Sequence, residues 1–287
     1  MDGCMSSEFE LLEFDNVQYT YPGSQQPTLE NITCQFGRYQ RYAVIGRNGC
    51  GKTTLFRLAN GLYRPQSGVI SWRGQPLQYK RRWLNQLRQK VGLVFPNPEQ
   101  QLVATTVSED ISYGLCNLGL STSEIAQRVR QILAEFDLVG LADFPINYLS
   151  LGQKKRVSIA DIMVLQPQLL FLDEPTAYLD SYQVTNFHCL LNQIQQRGTT
   201  VVIATHNLDF VEAWADWVLV LDRGKLAFQG TPEAVFSQSQ QLQDLGLGVP
   251  LVGDLINWLQ AENMALSQPQ LNQIQQQIRD RYWRSNS

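Results

Sequence analysis

The residues best placed to do chemistry in this 287-residue chain are Gly46-Arg47-Asn48-Gly49-Cys50-Gly51-Lys52-Thr53, which fit G-x-x-x-x-G-K-[ST]. An apolar run at 42–45 precedes them and a helix-forming stretch at 54–62 follows, the context such a loop requires. Its glycines let backbone N–H groups curl round phosphate oxygens, and the following helix adds the positive end of its dipole. Gly46, Asn48, Gly49, Cys50, Gly51 and Thr54 are the expected contributors to this cradle. Lys52 is expected to reach the β- and γ-phosphates and the Thr53 hydroxyl to hold Mg²⁺. The chemistry implied is the binding of a nucleotide.

A second group of reactive residues lies far along the chain. The apolar run at 169–172 ends in Asp173 and Glu174. A carboxylate at a strand end can bind Mg²⁺, directly or through water, and the next one can polarise an attacking water. Acids before Pro175-Thr176 also suit a helix N-cap, but beside a phosphate loop the metal and base roles take precedence.

Positioning these groups requires alternating strands and helices. Strands are expected at 12–19, 29–36, 41–45, 69–72 and 91–95, with turns at Tyr21-Pro22-Gly23 and Arg73-Gly74. Residues 80–89 and 106–137 read as helical, the latter with a capping signal at Ser121-Thr122-Ser123-Glu124. From 149 onward helices alternate with short apolar strands at 169–172, 200–204 and 217–221. That pattern predicts an α/β fold with a parallel sheet covered on both faces. In the Gln-rich tail, Leu271, Ile274, Ile278 and Tyr282 share one helical face, suited either to the protein's own body or to a homotypic contact.

Several further motifs, in order, resemble those of the ATP-binding cassette (ABC) ATPases. Leu149-Ser150-Leu151-Gly152-Gln153 is similar to the LSGGQ signature, and Asp173-Glu174-Pro175-Thr176 to the extended Walker B segment. Ala177-Tyr178-Leu179-Asp180 resembles the D-loop, and Thr205-His206 the H-loop, so that the likeness spans residues 14 to 230. It implies a parallel core sheet, an antiparallel N-terminal β subdomain, a helical subdomain at about 97–160 and a small C-terminal extension. The nucleotide-binding domain is expected at 9–235 and an accessory or dimerisation segment at 236–287. The resemblance further implies two domains stacked head to tail around two ATP molecules. Ser150, Gly152 and Gln153 then face the partner's γ-phosphate beside Asp180, His206 senses that phosphate, and Glu174, His206 and Lys52 carry catalysis. Tyr21 occupies the position of the aromatic that stacks on adenine, with Tyr19 as the competing candidate.

Three residues depart from the family pattern. Pro96 stands where a glutamine usually touches Mg²⁺ and couples the site to the transporter, leaving water, Gln100 or Gln101 as substitutes. Leu151 replaces a signature glycine, and Tyr178 sits where small residues are usual. The run Asn97-Pro98-Glu99-Gln100-Gln101-Leu102, with Thr106-Val107-Ser108-Glu109-Asp110-Ile111, resembles the energy-coupling factor ATPases, which power uptake of vitamins and of cobalt or nickel ions.

Composition narrows the setting. A net charge of −3 argues against a general nucleic-acid binder, and no nucleic acid is expected as partner. Five scattered cysteines without a CxxC pair suggest neither a disulfide framework nor a zinc cage. The N-terminal residues do not read as a secretory signal, and no apolar run approaches the ~18 residues of a membrane span. The expectation is therefore a peripheral subunit on the cytoplasmic face of the cell membrane, with a transmembrane partner docking near residues 96–120. The competing readings are a non-transport mechanoenzyme of the same ATPase type and a weakly hydrolysing regulatory subunit.

Overall fold

The computed structural model describes residues 10–38, 40–177 and 179–251, together with Gln270, Gln273 and Gln277. Tyr178 and the apolar positions of the tail stripe lie outside the described residues. The chain opens with β1 (Glu10–Tyr19), β2 (Leu29–Gly37) and β3 (Arg41–Ile45), followed by α1 (Lys52–Ala59). Next come β4 (Ser67–Trp72), β5 (Gln75–Pro76), α2 (Arg81–Lys90) and β6 (Val91–Val94). A helical region follows, with α3 (Val107–Cys116), α4 (Thr122–Glu135) and α5 (Leu151–Met163). The chain then runs through β7 (Leu169–Asp173), α6 (Ser181–Gln196), β8 (Thr200–Ala204), α7 (Leu208–Trp214), β9 (Trp217–Asp222) and β10 (Lys225–Gly230). Two short helices, α8 (Pro232–Phe236) and α9 (Ser239–Asp244), follow β10.

The strands form two sheets. An antiparallel sheet has the order β2-β1-β4-β5, and a six-stranded sheet the order β10-β9-β3-β8-β7-β6. Within the second, β9, β3, β8, β7 and β6 are all parallel and β10 pairs antiparallel with β9 at the edge. Side chains alternate across this sheet, as a two-residue period demands. Leu170, Leu172, Val201 and Ile203 join the apolar layer shared with α3–α6, whereas Leu169, Phe171, Val202 and Ala204 join the layer shared with α1 and the antiparallel sheet. Both faces are covered, which is why these strands read as continuous apolar runs.

Local chemistry sets most element boundaries. Capping boxes open α3 (Thr106 with Glu109) and α4 (Ser121 with Glu124), each satisfying backbone donors that the first helical turn leaves unpaired. The helices expected at 106–137 are α3 and α4, the second opening at the expected Ser121 cap, and Gly119 takes a left-handed conformation between them. Gly61, at φ 69°, ends the helix after the phosphate loop earlier than its apolar pattern suggests. Strand β10 was not expected from sequence. Arg223 and Gly224, both at positive φ, form the tight turn that folds it back on β9.

Residues 236–249 pack on the same core as the strands: Leu242 is fully buried, with Leu245, Leu247 and Val249 partly buried beside it. On the opposite layer Phe171 packs edge-on against Phe36, 5.5 Å between ring centroids, and at 4.8 Å from Phe56 of α1. Phe171 thus joins the two sheets to the helix that follows the phosphate loop. Truncating it as Phe171→Ala should cost about 3–5 kcal/mol of unfolding free energy, measured by chemical denaturation. A loss below about 1 kcal/mol would mean that this layer repacks freely.

Candidate functional site

The phosphate loop is shaped by glycines that no other residue replaces. Gly46 sits at φ 151°, and a Cβ there would lie 2.3 Å from the Leu221 carbonyl oxygen. Gly51 sits at φ 113°, where a Cβ would lie 2.5 Å from Leu29 Cδ2. Lys52 arches back over the loop, its Nζ donating to the Gly46 carbonyl at 2.7 Å and the Arg47 carbonyl at 3.3 Å. No side chain caps the N-terminus of α1, and its first turn holds no acidic residue. Its first amides and the positive end of its dipole are therefore open to an anion.

Across the sheet, the Thr53 hydroxyl donates to Asp173 Oδ2 at 2.6 Å. Asp173 is almost wholly buried, and burial raises its carboxyl above the ordinary range despite the Thr53 hydrogen bond. A hydroxyl and a carboxylate converging at a strand end are hard oxygen donors of the kind that Mg²⁺ prefers, and the pair fits that ion. Among the described residues no group of three or more His, Cys, Asp and Glu side chains converges, so any Mg²⁺ here would draw its remaining ligands from phosphate and water.

Glu174 leaves the strand at φ 47°, an unusual conformation for a side chain of this size. Its amide donates to the Ala204 carbonyl at 2.9 Å, and its Oε2 lies 2.9 Å from His206 Nδ1. The two residues expected to act together are thus paired. Lys155 of α5, which sequence reasoning left without a role, donates from Nζ to the carbonyls of Glu174, Pro175 and Ala177 at 3.0, 3.0 and 2.8 Å. Burial pushes its ammonium down to about 8, opposed by the nearby Glu174 charge.

Tyr21 is half-buried in an aromatic cluster with Tyr19 and Tyr63. Its hydroxyl bonds with Thr54 Oγ1 at 3.0 Å, and its ring meets Tyr63 edge-on at 5.6 Å. Tyr19 is buried and stacked on Tyr63 at 5.1 Å, so it lacks a free face for a ligand. Sequence reasoning missed Tyr63, because only packing joins it to the strand that carries Tyr19.

The signature residues form a separate group. Ser150 caps α5, and the Gln153 side chain returns the bond to the Ser150 amide at 2.8 Å. Asp180 caps α6 by the same device with Gln183. Gly152 faces Gln183 so closely that a Cβ would lie 2.7 Å from its Nε2. Ser150, Gly152, Gln153 and Asp180 line one cavity of about 510 Å³, to which no residue of 46–54 contributes. Gly46, Arg47, Asn48, Thr205 and His206 line another, of about 500 Å³, together with Leu208 and Gly246–Gly248.

Pro96 begins a loop whose side chains serve the loop itself. Gln101 accepts from the Phe95 amide at 3.3 Å and donates to the Ser158 carbonyl at 2.7 Å, so it braces the backbone. Asp110 Oδ1 accepts from the amides of Val103 and Ala104 at 2.8 and 2.7 Å, while its buried Oδ2 has no hydrogen-bond partner. Burial, aided by the Asp110 charge, pushes the neighbouring Asp161 carboxyl up to about 7. The folded chain therefore holds a proton there that the unfolded chain releases near 4. That contribution to stability is complete at acid pH and is lost as pH rises from about 4 to about 7. Asp161→Asn should flatten this part of the stability profile and raise the unfolding midpoint at pH 8 relative to the parent. Denaturation at pH 5, 6.5 and 8 checks it, and an unchanged slope would refute the assignment.

Comparison with known proteins places this geometry. Residues 29–177 match the family model described as ABC transporter. A protein of Nostoc sp. (strain PCC 7120) named as an ABC transporter ATP-binding protein is 60% identical over 245 residues, covering 85% of this chain and 89% of the relative. The chain belongs to the ABC ATPases. Its particular branch is the energy-coupling factor type. The transporter ATP-binding protein EcfA of Methanocaldococcus jannaschii is 38% identical over 249 residues, covering 87% of this chain and 89% of that one. The solved structure of cbiO1 from Clostridium perfringens, part of the ABC transporter complex cbiONQ, superposes with a TM-score of 0.74 at 37% identity. That match covers 87% of this chain and 99% of the other.

Proposed function

We propose that this chain hydrolyses ATP at the phosphate loop to drive uptake through a separate transmembrane subunit, and that each site is completed by a second ATPase subunit. The supporting observation is the division of the candidate residues. Lys52, Thr53, Asp173, Glu174 and His206 gather at the ends of parallel strands, while Ser150, Gly152, Gln153 and Asp180 open onto a different cavity. A head-to-tail pair, homo- or heteromeric, brings one subunit's signature helix to the other's phosphate loop. The start of α5 then offers amides and the Ser150 hydroxyl to the γ-phosphate.

In this reading Glu174 takes a proton from the attacking water as that oxygen bonds to the γ-phosphorus, and the bond from phosphorus to the bridging oxygen breaks to release ADP. His206 holds the Glu174 carboxylate from Nδ1, and Lys52 neutralises the β- and γ-oxygens. Mg²⁺, held by Thr53 and Asp173, supplies charge neutralisation when bound. Tyr21 stacks on adenine.

No described helix is long and apolar enough to cross a membrane, in keeping with a peripheral subunit on the cytoplasmic face. The transmembrane subunit docks near residues 96–120, where Val103 and Tyr113 are exposed. Residues 9–235 act as the nucleotide-binding domain and 236–287 as the accessory segment. The cargo is of the energy-coupling factor class, a cobalt or nickel ion or a vitamin, selected by another polypeptide.

Glu174→Gln should lower kcat for phosphate release by at least about a hundredfold while ATP binding persists. Turnover equal to the parent's would refute the base assignment. Tyr21→Ala should raise the KM for ATP about tenfold with little change in kcat, and an unchanged KM would exclude the stacking role.

A further inference from the structure

Between the signature helix and the catalytic strand end runs one buried cation. Lys155 lies a turn and a half into α5, and its side chain passes through the layer beneath the strand end rather than out to solvent. An ammonium has three N–H donors and no acceptor. Here all three find main-chain carbonyls, those of Glu174, Pro175 and Ala177, within 3.0 Å. These carbonyls belong to the stretch where the chain leaves β7, and no neighbouring strand is available to pair with them. The Glu174 carbonyl has one other described partner, the Ala177 amide at 3.2 Å. A buried carbonyl without a donor is costly, so the Lys155 tripod holds this turn closed.

Glu174 is fixed at three points as a result. Its amide is tied to Ala204 of β8, its carboxylate to His206, and its carbonyl to Lys155. The left-handed φ of 47° turns the side chain away from the direction that strand alternation would give it, and that conformation persists only where its surroundings enforce it. Lys155 is the one anchor of the three that comes from the helix carrying Ser150 and Gln153.

We propose that Lys155 is a positioning residue for hydrolysis, holding the Glu174 peptide at the angle that aims its carboxylate and tying that peptide to the signature helix of the same chain. The proposal rests on the reading of Glu174 as the base. In a head-to-tail pair, the helix that contacts one nucleotide is thereby bonded to the main chain of the residue whose carboxylate acts on the other. Lys155 lies beside the signature cavity, but its three donors go to main-chain carbonyls, so its loss acts on turnover rather than on nucleotide affinity.

The test is steady-state phosphate release by the full chain with saturation in ATP, run on Lys155→Met, Lys155→Arg and Glu174→Gln in parallel. Lys155→Met keeps the length of the side chain and removes every donor. It should lose about tenfold to a hundredfold in kcat, with a KM for ATP close to the parent's. Lys155→Arg, which restores a cation with several donors, should recover a large part of that loss. Should Lys155→Met fail to fold, judged by its thermal transition, Lys155→Gln substitutes for it with the same expectation of lowered kcat at constant KM. A kcat within twofold of the parent in the donor-free or amide variant, with Glu174→Gln inactive, overturns the positioning role. So does a rise in KM that accounts for the whole loss. If Glu174→Gln itself retains turnover, the reading of the base fails instead, and the two failures are distinct.

Discussion

Everything at this site depends on the register of three parallel strands. Ala204 of β8 is level with Val44 of β3 on one side and with Asp173 of β7 on the other. Because β3, β8 and β7 end together, the loop after β3, the carboxylates after β7 and the histidine after β8 emerge at one height. A slip of one residue in either pairing would turn each strand's side chains to the opposite face and separate Thr53 from Asp173 by a full strand step. The apolar layers on the two faces set that register, since Leu170 and Phe171 cannot exchange faces without unmaking both. In this fold the geometry of the candidate site is therefore a by-product of core packing, and its polar groups collect where open parallel sheets generally place them, beyond the carboxyl ends of the strands.

Much of this was legible beforehand, for physical reasons that differ by element. The phosphate loop is local: its glycines, lysine and threonine act through backbone geometry within eight positions, so sequence alone states the chemistry. The buried strands at 169–173 and 200–204 announce themselves by continuous apolar runs. Strand β10 was overlooked because Lys225–Gly230 is half-exposed and breaks the pattern of a buried strand, although Arg223-Gly224 carried a usable turn signal. Lys155 and Tyr63 had no local signal. One looks like part of a solvated basic run and the other like a loop aromatic. Only the approach of elements distant in sequence gives them partners.

The departure at Pro96 is accommodated by local bracing. Gln101 ties the backbone at Phe95 to α5, and Asp110 collects the amides of Val103 and Ala104, so the loop from 96 to 104 has a defined shape without a glutamine at its head. Gln101 is thus not free to replace that glutamine at the metal. Val103 of the loop and Tyr113 of α3 expose apolar and aromatic surface, whereas Gln101 and Asp110 turn inward to the backbone.

The left-handed backbone at Glu174 sets two demands on the strand end against each other. An L-residue held there stores on the order of 1–2 kcal/mol that glycine would not. Glu174→Gly would relieve that strain and would also remove the carboxylate that pairs with His206. Local stability and the presence of a carboxylate at this strand end therefore pull in opposite directions.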